Sequence, residues 1–155
     1  GGSIRIYIKK DKNVKIKKSV KELIQEEQKF GIKEFKTYQK FAEKVYKIKE
    51  NVINNIKKIK ENGKKIVGYG APAKATTALN FFGINNEIDY IIEDNKLKHK
   101  KFVPGVKIPI YGKNNILKSK PIILVLAWNF YDEIKENNKN LSDFFVNIKD
   151  LKKLK

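Results

Sequence analysis

The chain has 155 residues, 41% of them hydrophobic and 34% charged, enough apolar material for one domain with a buried core under a heavily charged surface. With no Cys and His99 the single His, disulfides, thiolate nucleophiles, cysteine-ligated metals and multi-histidine metal sites are excluded, and Ser-His or Cys-His triads have little material. The formal net charge of +18 is carried by lysines spread among Asn and Ile, with Arg5 the sole arginine, which reads as a solvated basic face that attracts small anions rather than as a nucleic-acid interface.

Ile4, Ile6 and Ile8 alternate with Arg5 and Tyr7, a short strand pattern that starts abruptly. After a lysine-rich turn around 11–13, Ser19 is placed to cap a helix carrying Val20, Leu23 and Ile24 and ending near Gly31. Phe35, Tyr38, Phe41, Ala42, Val45, Ile48, Val52, Ile53, Ile56 and Ile59 then recur at three- and four-residue steps, which predicts one long amphipathic scaffold helix stopped by Asn62-Gly63.

From Lys64 the pattern changes to short strands alternating with helices. Ile66–Tyr69 reads as a strand, 73–82 as a helix, 88–92 as a second strand ending in Glu93-Asp94-Asn95, and 108–111 as a third after a Pro/Gly segment. The run 122–127 is apolar on both faces, as in a central parallel strand; a helix from Asn129 to near Asn140 follows, with Asn129 as its cap, and 144–148 is the last strand. The expected architecture is an α/β domain, a Rossmann-like, mostly parallel sheet flanked by helices and preceded by the long helix. Residues 1–62 form the strand and helical flank and 63–155 the core. The longest apolar run, 122–128, is far shorter than the ~20 residues of a membrane span, and no signal peptide opens the chain, so a cytoplasmic protein without membrane contact is expected. The absence of Met and the opening Gly1-Gly2-Ser3 predict a processed chain or a piece of a longer one.

The candidate chemistry sits at Gly68-Tyr69-Gly70-Ala71-Pro72-Ala73, a G-x-G-x-x-A pattern between a strand and a helix. Glycines there allow a tight turn and close backbone approach, and the following helix end offers free N–H groups and a positive dipole to a phosphate. Pro72 suits the first turn, and Lys74 adds a full charge. Asp94 lies ~20 residues beyond, at the strand end where a dinucleotide's ribose carboxylate stands. The same turn is equally readable as close packing of helix on sheet. An NAD(P)-dependent oxidoreductase domain and a non-catalytic interaction module therefore stay open as alternatives.

Four separated segments together resemble a known family. They are Gly68-Tyr69-Gly70-Ala71-Pro72-Ala73-Lys74-Ala75-Thr76-Thr77; Asp94-Asn95 with Lys98; Phe102-Val103-Pro104-Gly105-Val106-Lys107-Ile108-Pro109-Ile110; and Ala127-Trp128-Asn129 with Glu133-Ile134. In this order they resemble the C-terminal domain of S-adenosylmethionine-dependent C-methyltransferases acting on nucleotide-linked deoxysugars. The opening Gly1-Gly2-Ser3-Ile4-Arg5-Ile6-Tyr7 looks like that family's passage from its methyltransferase domain into this one.

The resemblance implies a longer enzyme, with a zinc-bearing region and a domain binding S-adenosylmethionine ahead of this one. There a keto sugar loses a proton beside its carbonyl and the resulting carbanion or enediolate takes the sulfonium methyl group. It also implies that the catalytic acid/base residues lie upstream and that this domain binds neither zinc nor the methyl donor. In isolation the domain would be inactive. Its own part would be to rest on the methyltransferase domain and help enclose the nucleotide-linked sugar, through Gly68, Tyr69, Gly70, Ala71, Pro72, Ala73, Lys74, Thr76, Asp94, Asn95, Trp128 and Asn129. His99, in a Lys-rich stretch, reads as a solvated surface residue, and Thr76, Asp94, Asn95 and Asn129 each have a purely local alternative as helix, turn or cap residues.

Overall fold

The computed structural model describes residues 3–11, 13–115 and 120–148. Two compact units are distinguished, Gly1–Lys44 and Val45–Lys155, and the division falls inside one helix.

The first unit contains helix α1, Lys18–Phe30, and the start of helix α2, Phe35–Glu61. None of its described residues is buried. The strand expected at 4–8 does not form. A strand needs a neighbour to receive its N–H and C=O groups, and the described residues of this segment pair with none, leaving Ile4, Ile6 and Ile8 exposed. Ser19 does not cap α1. Lys17 holds the N-cap position, its carbonyl receiving the Val20 N–H at 3.1 Å, so the hydroxyl falls inside the first turn. Of the turn expected at 11–13, Lys12 lies outside the described residues, and the Asn13 N–H donates to Asp11 Oδ1 at 3.0 Å.

The second unit is built on a five-stranded parallel sheet: β1 (Ile66–Tyr69), β2 (Ile91–Ile92), β3 (Ile110–Tyr111), β4 (Ile122–Val125) and β5 (Phe145–Asn147), in the order β3-β2-β1-β4-β5. β4 is an interior strand as its apolar run predicts, but the middle place belongs to β1, between β2 and β4. Alternation sends Ile66, Ile91, Ile122, Leu124 and Val146 to one face, where they pack with Val52, Ile56 and Ile59 of α2 and with Ala75 and Leu79 of α3, Ala73–Phe82. Val67, Tyr69, Ile92, Ile123, Val125 and Phe145 point the other way, toward Leu141 and the Tyr131 and Ile134 side chains of α4, Tyr131–Asn137. Each fully buried aliphatic side chain here contributes about 1.5–3 kcal/mol, which makes this sandwich the main source of stability. An α/β fold, a parallel sheet flanked by helices after a long amphipathic helix, is what the hydrophobic periodicity predicts.

Boundaries differ where the backbone leaves the ladder. β2 is confined to Ile91–Ile92, although its pairing with β1 continues upstream through Asp89 N–H to Ile66 O at 3.0 Å and Gly68 N–H to Tyr90 O at 2.9 Å. The chain leaves β4 through a 3-10 turn, Trp128–Phe130, closed by the Phe130 N–H on Ala127 O at 2.9 Å. Asn129 therefore sits inside that turn and caps no helix, α4 starting only at Tyr131.

Candidate functional site

Strand order reverses between β1 and β4, and the carboxyl ends of those two strands carry the glycine turn and Trp128. An open parallel sheet binds ligands at such a switch point, because the chains leave in opposite directions and a crevice opens between them.

Gly70 sits at φ +84°, and a Cβ on it would meet the Ala127 Cβ at 2.8 Å; one on Gly68 would meet Ile91 Cγ1 at 2.8 Å. The two glycines thus serve the seams between β1 and its neighbours β4 and β2. Both the left-handed turn and the close approach exclude a side chain at 70.

The turn after Gly70 is clamped from β2. The Ala71 N–H donates to Glu93 Oε2 at 2.9 Å, while Lys98 Nζ donates to Ala71 O at 3.0 Å and to Glu93 Oε2 at 3.2 Å. Glu93 Oε1 accepts the Asn95 N–H at 3.0 Å. Burial alone would raise the Glu93 pKa, but the Asn95 and Ala71 N–H groups and the Lys98 ammonium outweigh it and hold the carboxyl below its ordinary value. Position 72 is proline and has no N–H. A protein carboxylate therefore occupies the Ala71 donor that a diphosphate would seek, and the next residue has none to offer.

His99 is half-buried rather than solvated: its Nε2 lies 2.7 Å from Glu93 O, to which it donates, and its ring fills the space beside Gly112. It locks the β2 end into the clamp.

On the opposite face of the sheet, the buried Tyr69 phenol is shared between Asp94 Oδ2 at 2.9 Å and Asn138 Oδ1 at 3.2 Å. Lys113 Nζ reaches Asp94 Oδ1 at 2.9 Å and lies 5.7 Å from the centre of the Tyr69 ring. Burial, with Asp94 beside it, pushes the Tyr69 pKa up. Lys113 is also raised, its contacts with Tyr69 and Asp94 exceeding the opposing effect of burial. Asp94 is therefore engaged by two side chains of its own domain.

At the switch point, Lys74 in the first turn of α3 places Nζ 4.5 Å from the centre of the Trp128 ring. The Trp128 indole also packs on the core cluster that includes α3. The contact bridges the two sides of the switch point.

The expected residues thus divide. Lys74 and Trp128 meet at the switch point, and Gly70, Ala71, Pro72 and Ala73 make the turn that leads from β1 into α3. Gly68 and Tyr69 are buried within β1, Tyr69 joined to Asp94. Thr76 is half-buried and donates its N–H to Pro72 O at 3.3 Å. Asn95 is turned to a local task, its Oδ1 capping the 3-10 turn Lys96–Lys98 through the Leu97 N–H at 3.0 Å, and Asn129 stands exposed next to Trp128. Glu93, His99, Lys113 and Asn138 also belong to the site although their sequence context does not mark them as site residues, and Lys98 is half of the clamp. Strand parity was the available signal for Glu93: from Ile91 on the α3 face, two steps bring residue 93 to that same face and residue 94 to the other.

Among the described residues no group of three or more His, Asp or Glu could hold a metal ion, and no helix is long and apolar enough to cross a membrane. The chain matches the C-methyltransferase C-terminal domain family over residues 1–147. It is 32% identical over 142 residues to the C-methyltransferase NovU of Streptomyces niveus, an alignment covering 90% of this chain and 34% of that protein, so it spans about a third of that relative's length. On a family match that takes in both the flanking helices and the whole sheet, the chain belongs to the C-methyltransferase C-terminal domain family.

Proposed function

We propose that this domain is the nucleotide-sugar-facing part of an S-adenosylmethionine-dependent C-methyltransferase, held against a preceding methyltransferase domain in the cytoplasm. The observation that carries the reading is the pairing of Lys74 and Trp128 at the switch point, a charge and a flat ring at the place where such sheets take ligands. A sugar linked to a nucleoside diphosphate offers both an anion for the ammonium and planar or apolar faces for the indole.

In this reading the chain's residues bind and orient and the bond-forming step belongs to other domains. S-adenosylmethionine, bound elsewhere, would supply an electrophilic methyl group to a carbon deprotonated beside a ketone, and any zinc would likewise be held upstream. The Glu93–Lys98 clamp fixes the turn that carries Lys74, and the Tyr69–Asp94–Lys113 cluster fixes the β2 end opposite it. The exposed apolar residues of the first unit, Phe35 and Phe41 among them, support a docked domain, since an amphipathic helix gains most of its stability from a covered face.

The oxidoreductase alternative is disfavoured by the family match, and the turn offers a dinucleotide fewer donors than its pattern implies, the Ala71 N–H being taken by Glu93 and position 72 having none. Calorimetric titration of the chain with a nucleotide sugar, NAD and S-adenosylmethionine tests the reading. Heat from the nucleotide sugar alone is expected. Binding of NAD in preference to the sugar nucleotide refutes it, as would turnover of S-adenosylmethionine by residues 1–155 alone.

A further inference from the structure

Lys74 occupies an electrostatically unfavourable position. It lies in the first turn of α3, where the helix dipole repels a cation, and among the described residues its partner is no carboxylate but the Trp128 ring, 4.5 Å from Nζ. The indole is itself only half-buried, with the core cluster as its other neighbour. A half-buried tryptophan on the turn that leaves β4 at the switch point, its ring kept company by a long, flexible ammonium side chain, is a surface that another planar group can take over, because a cation–π contact and a π-stack use the same face.

We propose that the Trp128 indole is the stacking platform for the base of a nucleoside diphosphate, and that Lys74 leaves the ring for the diphosphate as the base arrives. The inference rests on the nucleotide-sugar reading and adds to it which residue holds which part of the ligand. Two contacts exchange at once. The base replaces the ammonium on the indole, and the diphosphate supplies the charge that Lys74 lacks in the free protein. A neutral nucleoside would have to displace the lysine with no anion to receive it, and pyrophosphate would attract the lysine but leave the ring bare. Stacking on an aromatic side chain is tolerant of base identity, so the platform selects for a nucleotide and leaves discrimination among bases to other groups.

Trp128 is the only tryptophan, so its emission reports the platform directly. The experiment titrates the 155-residue chain at physiological salt with uridine diphosphate, uridine and inorganic pyrophosphate, following tryptophan fluorescence and, in parallel, calorimetric heat. Saturable quenching by uridine diphosphate is expected, at an affinity about tenfold or more above either half-ligand. Lys74→Gln should weaken uridine diphosphate by about tenfold while uridine binds as well as before or better, since no ammonium then has to be displaced from the ring. Trp128→Leu should bind pyrophosphate as before and lose the gain from the base, and Trp128→Phe, which keeps a ring and the packing, should retain part of it. Circular dichroism establishes that each variant is folded, and if the leucine variant is not, the phenylalanine variant and the wild-type emission carry the test. Heat from uridine diphosphate with no change in emission, or full affinity in Trp128→Leu, overturns the platform and leaves the crevice reading standing. Absence of heat with both uridine diphosphate and a uridine-diphosphate sugar overturns that reading and the platform with it.

Discussion

Glu93→Gln is the sharpest perturbation of the glycine turn. The carboxylate accepts the Ala71 N–H at 2.9 Å and Lys98 Nζ at 3.2 Å on one oxygen and the Asn95 N–H at 3.0 Å on the other. An amide of the same shape keeps one acceptor and must turn its NH2 group toward donors whichever way it is flipped, so at least one backbone N–H loses its partner and Lys98 loses its counter-ion. The Glu93 side chain is only 12% exposed, so water does not substitute freely. A charge-assisted bond in such a place is worth about 1.5–3 kcal/mol, and losing one with partial retention of the rest predicts a cost of about 2–3 kcal/mol at neutral pH. For a chain of this size that lowers Tm by roughly 4–12 °C. The pH dependence gives an independent handle. The folded-state pKa of Glu93 lies below its ordinary value of 4.5, so its contribution is complete above that pH and fades as the pH falls toward the folded-state value. Urea titrations of wild type and variant, followed by circular dichroism, should show a gap at pH 7 that closes in acid. Equal stability at pH 7, or a gap that acid leaves unchanged, refutes the clamp.

The same geometry makes three further predictions. Gly70→Ala forces a side chain into φ +84° with its Cβ 2.8 Å from that of Ala127, and should cost about 1–3 kcal/mol in thermal or urea unfolding. Tyr69→Phe removes the phenol shared by Asp94 and Asn138 and leaves the buried Asn138 Oδ1 short of a donor, which predicts a loss of about 1–2 kcal/mol on the same assay. Lys74→Gln gives up only the contact with the Trp128 ring, so stability should fall by at most about 1 kcal/mol, whereas nucleotide-sugar affinity of the complete enzyme should drop about tenfold; equal affinity at low salt returns Lys74 to the solvated background.

How far the sequence could be read follows from what each feature depends on. α2 and the strands β1 and β4 are set by local periodicity, and their positions are legible from apolar spacing alone. The segment 4–8 has the same local signal and forms no strand, because a strand is completed by a neighbour and the pattern says nothing about who supplies it. Asn129 has a capping residue's chemistry, yet the tight exit from β4 spends residues 128–130 on a 3-10 turn and moves the helix start past it. Lys74 opposite Trp128 is the least legible feature of the crevice. The residues are far apart in sequence, and only the parallel pairing of β1 with β4 brings their following turns together.

The G-x-G-x-x-A turn shows why a fingerprint underdetermines its ligand. The pattern specifies where glycines and a helix start must be, and here those demands come from the sheet: Gly70 from the approach of Ala127, Gly68 from Ile91. What makes such a turn a diphosphate site is a set of backbone N–H groups left open, and this chain closes one with Glu93 and deletes the next with Pro72. A dinucleotide arriving there would set its phosphates against a carboxylate already anchored by Lys98 and two backbone donors, adding repulsion to the loss of those bonds. On the proposed function, an anion at this site would rely more on the Lys74 side chain and the N–H groups that open α3 than on the turn itself. A fixed cradle of N–H groups holds a diphosphate in one register, whereas an ammonium resting on an aromatic face can follow a ligand, so on the proposed function this chain's turn suits a substrate taken in and released at each turnover better than a cofactor kept in place.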